Sequence, residues 1–102
     1  MTAMGIVSTG TWFPETYVTA EEIAEQSGMP EWVVRKKLGI ERKYVADPEV
    51  HPNDMAVKAA RKAIDKAGID PMEIDVVLCT TEEWREYLLW TTAIDLAYRV
   101  GA

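Results

Sequence analysis

Residues 53 to 79 restrict the fold of this chain more than any other stretch. "NDMAVKAARKAIDKAG" sets Ala56, Ala60, Ala63, Ile64 and Ala67 at spacings of four, three, one and three. Those spacings form a single stripe on an α-helix, with Lys and Arg on its outer face. Asn53 is placed to cap the helix and Gly68 to end it. A stripe built mainly from alanine predicts close packing against its support, not a deep hydrophobic anchor. Asp70-Pro71 then turns the chain into Val76-Val77-Leu78-Cys79. Four apolar residues in succession predict a strand covered on both faces, as in a parallel sheet. Helix and buried strand in alternation make an α/β layer pattern.

The flanking segments extend that pattern. "GIVSTGTWFP" reads as a short strand through Ile6 and Val7 that runs into a turn closed by Pro14. Thr19 stands three residues before Glu22, a capping-box spacing, and Gly28 is the stop of the helix that follows. "PEWVVRKKLG" predicts a second short helix from Pro30 to a stop at Gly39, with its basic residues at the C-terminal end. "IERKYVA" alternates as a strand would. "TTAIDLAYRVGA" begins a last helix, with Thr91 or Thr92 in position to cap it. Two or three strands make a poor independent sheet. A chain that stops at "YRVGA" therefore reads as an unfinished α/β layer.

At 102 residues the chain has the length of one small domain, and 48% hydrophobic residues suit a globular fold. A net charge of -6 argues against nucleic acid as a partner, because phosphate backbones need cations. No apolar run approaches the ~20 residues that span a bilayer. No basic flank precedes the N-terminal apolar residues, as a secretory signal would require. One cysteine excludes an intrachain disulfide. A soluble, cytoplasmic protein is the expectation. Yet five of the eleven basic residues, Arg35, Lys36, Lys37, Arg42 and Lys43, lie together in an otherwise acidic chain. Such a cluster can bind a phosphate locally while the rest repels polyanions.

Cys79 invites a reading as a nucleophile, but a reactive thiolate wants a helix N-terminus or a nearby histidine. Cys79 sits inside an apolar run instead, which points to core packing. His51 has no second His or Cys to share a zinc ion, so no metal site is expected. Glu82, Glu83 and Glu86 with Asp95 read as a solvated face before they read as a carboxylate site. The glycines of "GIVSTGTW" match neither a dinucleotide nor a P-loop fingerprint. "PEWVVRKKLGIERK" is richer, since an indole beside cations can stack on a purine while Arg and Lys meet phosphates. The same letters also describe a basic amphipathic helix with Trp32 packed inside.

Four blocks in series, "GIVSTGTWFPE", "VTAEEIAEQSGMP", "LGIERKYVADPEVHPNDMAVKAARKAIDKAGIDPMEIDVVLCTTE" and "LLWTTAIDLAYRVGA", resemble the N-terminal part of a β-ketoacyl-acyl carrier protein synthase III. The resemblance covers essentially the whole chain. It implies the N-terminal portion of a thiolase-like α/β sandwich, incomplete on its own, residues 1–102 being one segment of a ketosynthase domain. A complete subunit of that kind is roughly two to three times longer. It also implies a Cys-His-Asn catalytic set beyond the "VGA" block, with no catalytic residue in these 102 residues. The implied activity is decarboxylative condensation of an acyl thioester with malonyl-carrier protein, in fatty acid or related acyl chain biosynthesis. Acyl-CoA and acyl carrier protein are the implied partners, a homodimer the implied assembly, and no cofactor is expected.

The resemblance further assigns residues. A tryptophan and an arginine in the "EW…GI" segment of the family hold the adenine and phosphates of coenzyme A. Trp32 and Lys37 are the nearest counterparts, with Arg35 and Lys36 beside them. Trp32 stands one residue further from Gly39 than is usual, which on an α-helix turns it by about 100°. The stretch before "WTTA" resembles the family's dimer-interface loop, which closes the acyl pocket of the neighbouring subunit; Leu89 is the nearest match, and Trp90 stands where proline is common. A second reading of the same chain is a non-catalytic module that dimerises or docks on another subunit.

Overall fold

A computed structural model describes residues 3–80 and 91–102. The chain divides into two units: Phe13–Glu49, and the described parts of Met1–Trp12 and Val50–Ala102.

In the first unit, strand β1 (Tyr17–Thr19) pairs antiparallel with β2 (Arg42–Tyr44), with Tyr17 opposite Tyr44 and Thr19 opposite Arg42. The ladder continues past both ends, since Val45 N–H donates to Thr16 and Ala20 N–H to Glu41, each at 3.0 Å. The β2 strand falls where alternation in "IERKYVA" places it. The β1 strand is an addition, because three residues next to a helix cap carry no period of their own. Helix α1 (Ala20–Ser27) begins at the expected capping box. Thr19 Oγ1 accepts from Glu22 N–H at 3.2 Å, and Glu22 Oε2 accepts from Thr19 N–H at 2.7 Å. Ala20 and Val34 are fully buried and form the core of this unit.

The second unit is organised on α2 (Pro52–Ala67) and α3 (Thr92–Val100), with a 3-10 turn at Pro71–Glu73 between them. Gly68 ends α2 as expected, but the cap is His51, not Asn53. Pro52 lacks an amide hydrogen and fits the first helical position, which moves the cap and the start of the helix two residues earlier. Asn53 is then inside the first turn and buried. Thr91 is the residue that precedes α3.

The alanine stripe does what its small side chains predict. A Cβ on Gly10 would lie 2.3 Å from the Ala59 carbonyl oxygen and 2.7 Å from the Ala63 nitrogen. The segment around Gly10 thus crosses α2 at van der Waals contact of backbone with backbone. Beside that crossing, Ile6, Val7 and Ser8 line a recess with Ala63, Ile64 and Ala67.

Two expected strands are corrected. Residues 5–8 and 76–79 carry no regular secondary structure, and among the described residues neither enters a hydrogen-bonded ladder. Nor is the apolar run covered on both faces: Val77 and Cys79 are half-buried, whereas Val76 and Leu78 are 71% and 85% exposed. Val77 lines a recess with Ala93 and Ala97 of α3, so one face of the run is packed. An apolar run states what a strand can bury on each face, and neighbours decide how much of it is buried.

Candidate functional site

The basic element of the first unit is not an α-helix. After a helical turn at Glu31 and Trp32, residues Val33–Lys37 form a π-helical turn. Leu38 N–H donates to the carbonyl of Val33, five residues back, at 3.0 Å. Ile40 N–H donates to Val34 at 3.0 Å, and Gly39 takes φ 70°, a left-handed value that glycine adopts without strain. Val34, wholly buried, faces inward, so its neighbours project outward.

The wide turn decides which side chains meet. Five residues along an α-helix turn through about 500°, leaving Trp32 and Lys37 about 140° apart. A turn closed by an i→i+5 bond brings the fifth residue round above the first. Lys37 Nζ accordingly lies 5.4 Å from the centroid of the Trp32 ring. The indole is 56% exposed, so it presents an open face and is not packed inside.

The remaining expected residues divide. Lys36 is exposed and has no carboxylate partner among the described residues. Arg35 is occupied: its Nε donates to Glu31 Oε1 at 2.7 Å, and its Nη1 pairs with Glu41 Oε2. The hydrogen bond to Glu31, then the charge of Glu41, holds the guanidinium above its ordinary basicity. Glu31 was legible as an i,i+4 partner of Arg35. Glu41 was not, because it reaches Arg35 only through the turn at Gly39. Leu89 and Trp90 lie outside the described residues, as do Glu82, Glu83 and Glu86.

The other chemistry-bearing residues lie apart from this element. Cys79 lies in a segment without regular secondary structure, next to residues outside the described ones, and His51 opens α2. No group of His, Cys, Asp or Glu among the described residues could hold a metal ion. No helix there is long and apolar enough to cross a membrane. Asp95, the one described member of the carboxylate group, serves packing. Its Oδ2 accepts from Asn53 Nδ2 at 2.5 Å and lies 3.5 Å from Arg99 Nη1.

No family model matches the sequence. A β-ketoacyl-[acyl-carrier-protein] synthase III of Campylobacter fetus is 36% identical over 99% of this chain, which spans 30% of that relative. The chain corresponds to the N-terminal part of a thiolase-like ketoacyl synthase III. The fold agrees. A 3-oxoacyl-(acyl carrier protein) synthase III of Pseudomonas aeruginosa superposes with a TM-score of 0.76 over 93% of this chain and 28% of its own, at 22% identity. Xanthomonas campestris OleA gives 0.77 over 94% of this chain and 30% of its own, at 27% identity. The chain therefore spans about a third of the ketoacyl synthase relatives it matches.

Proposed function

We propose that this ketoacyl synthase III segment is the donor-binding part of a cytoplasmic acyltransferase that condenses an acyl thioester with malonyl-carrier protein, in fatty acid or related acyl chain biosynthesis. The observation that carries the proposal is Trp32, an exposed indole with Lys37 over its ring, on a segment that matches about 30% of a synthase of this kind. The free ring face stacks the adenine of coenzyme A, and Lys37 and Lys36 attract its phosphates. Acyl-CoA and acyl carrier protein are then the partners and a homodimer the assembly, with Leu89 and Trp90 at the subunit contact. Arg35, gripped by two carboxylates, contributes no free fork. The nucleophile, histidine and asparagine of the reaction match no residue of this segment, which spans 30% of the relative.

Titration of tryptophan fluorescence with coenzyme A tests this reading. Binding at about millimolar affinity, on the order of 4 kcal/mol, is expected for a site that has only these groups. It should weaken with salt and fall in Lys37→Ala and Trp32→Phe. Equal responses to coenzyme A and to phosphate-free pantetheine, or no response to either, would overturn it.

A further inference from the structure

We propose that Arg35 is a positioning residue: clamped between Glu31 and Glu41, it holds the π turn that sets Lys37 over Trp32. The functional meaning of that pair rests on the nucleotide-binding reading above, whereas the clamp itself rests on geometry alone.

A π turn has poorer hydrogen-bond geometry than an α turn and needs support from outside its own backbone. Here the support comes from three directions. Val34 anchors the inner side in the core, and Ile40 N–H returns to the Val34 carbonyl. Arg35, the central residue of Val33–Lys37, supplies the third tie. Its Nε holds Glu31 on the turn before, and its Nη1 holds Glu41 on the chain after Gly39. One guanidinium thus links the entry and the exit of the wide turn, a task for a planar fork that a lysine cannot repeat.

The same contacts remove Arg35 from ligand binding. With two carboxylates at its donors, the guanidinium is locally neutralised, and an approaching phosphate meets Glu31 and Glu41 first. Anion attraction is left to Lys36 and Lys37. The cluster of three cations therefore divides by role, one shaping the turn and two facing outward.

Amide hydrogen exchange by NMR, with the Trp32 indole N–H as a second probe, tests the clamp without ligand. In Arg35→Gln, exchange at Leu38 and Ile40 should quicken about threefold to fivefold, as suits a partly exposed ion pair. The Trp32 indole resonance should shift with it. Glu41→Gln should give the same change at smaller size, and high salt should move the parent protein in the same direction. Lys36→Gln, which removes a charge from the same turn but no tie, should leave Leu38 unchanged. Exchange at Val57 in α2 should not move in any variant. Unchanged Leu38 and Trp32 signals in Arg35→Gln would overturn the proposal, as would an equal rise at Val57. Loss of coenzyme A binding in Arg35→Gln with unaltered exchange would also overturn it, since Arg35 would then touch the ligand. A parent protein that binds no coenzyme A would remove the nucleotide reading, while the exchange data would still decide the clamp.

Discussion

Gly10 is the residue with the least freedom to change. The atoms a Cβ would meet, at 2.3 and 2.7 Å, are backbone of α2, and neither can rotate away. Gly10→Ala should therefore displace the crossing segment and cost about 1 to 3 kcal/mol, read as a lower urea midpoint. Gly5, on the same segment, has nothing within 4 Å of where an added methyl would sit, so Gly5→Ala should leave the midpoint unchanged. Equal effects at the two positions would deny the close crossing. The alanine stripe announced that something approaches α2 closely. It could not say that the approaching residue is Gly10, because that depends on where the segment crosses in space. The same limit applies to Arg35, whose charge was visible but whose second partner was not.

At the scale of elements, a polar network links α2 and α3. Arg99 Nη2 pairs with Asp54 Oδ1 at 2.8 Å, Arg61 Nη2 donates to the Arg99 carbonyl at 2.9 Å, and buried Asn53 reaches Asp95. The Asp54 carboxyl is held below its ordinary value of 3.8, first by the His51 N–H it accepts and then by Arg99. Its folded value is depressed, so its contribution is present above pH 3.8 and is lost as pH falls through the folded value. Stability of this unit should decline in that acid window, and Asp54→Asn should flatten the decline while costing about 1 kcal/mol at neutral pH. Circular dichroism melts from about pH 2 to about pH 7 check both expectations, and parallel curves for parent and variant would refute them. Asn53→Ala should cost about 1 to 3 kcal/mol, because it leaves Asp95 short of a partner in a partly buried place. Helix α2 was legible from its period and stop, and α3 from the threonines at its start. The network was not, since it joins residues far apart in the chain that share no pattern.

For the molecule as a whole, the apolar side chains left in solvent matter most. Met4, Ile6, Val76 and Leu78 are all largely exposed on segments without regular secondary structure, with Ile94 and Tyr98 on α3. Exposed apolar surface beside unpaired backbone recruits partners. Sedimentation at micromolar concentration should show self-association, and a compact monomer with a cooperative melt would contradict it. A condensation assay on these 102 residues should give no turnover, because covalent catalysis needs a base beside its nucleophile. Turnover abolished by Cys79→Ser would reverse that expectation. The sequence by itself determined the resemblance to ketoacyl synthase III, the capping box of α1, and the stripe and stop of α2. These follow from residue type and short spacing, which local physics reads directly. Tertiary structure alone decided that the basic element widens into a π turn, that Lys37 rather than Arg35 meets the indole, and that Gly10 crosses α2. It also decided that the apolar run packs on one face only. The crossing and the one-sided packing depend on which distant segments meet, whereas the π turn depends on the buried Val34 and the two carboxylates that Arg35 holds.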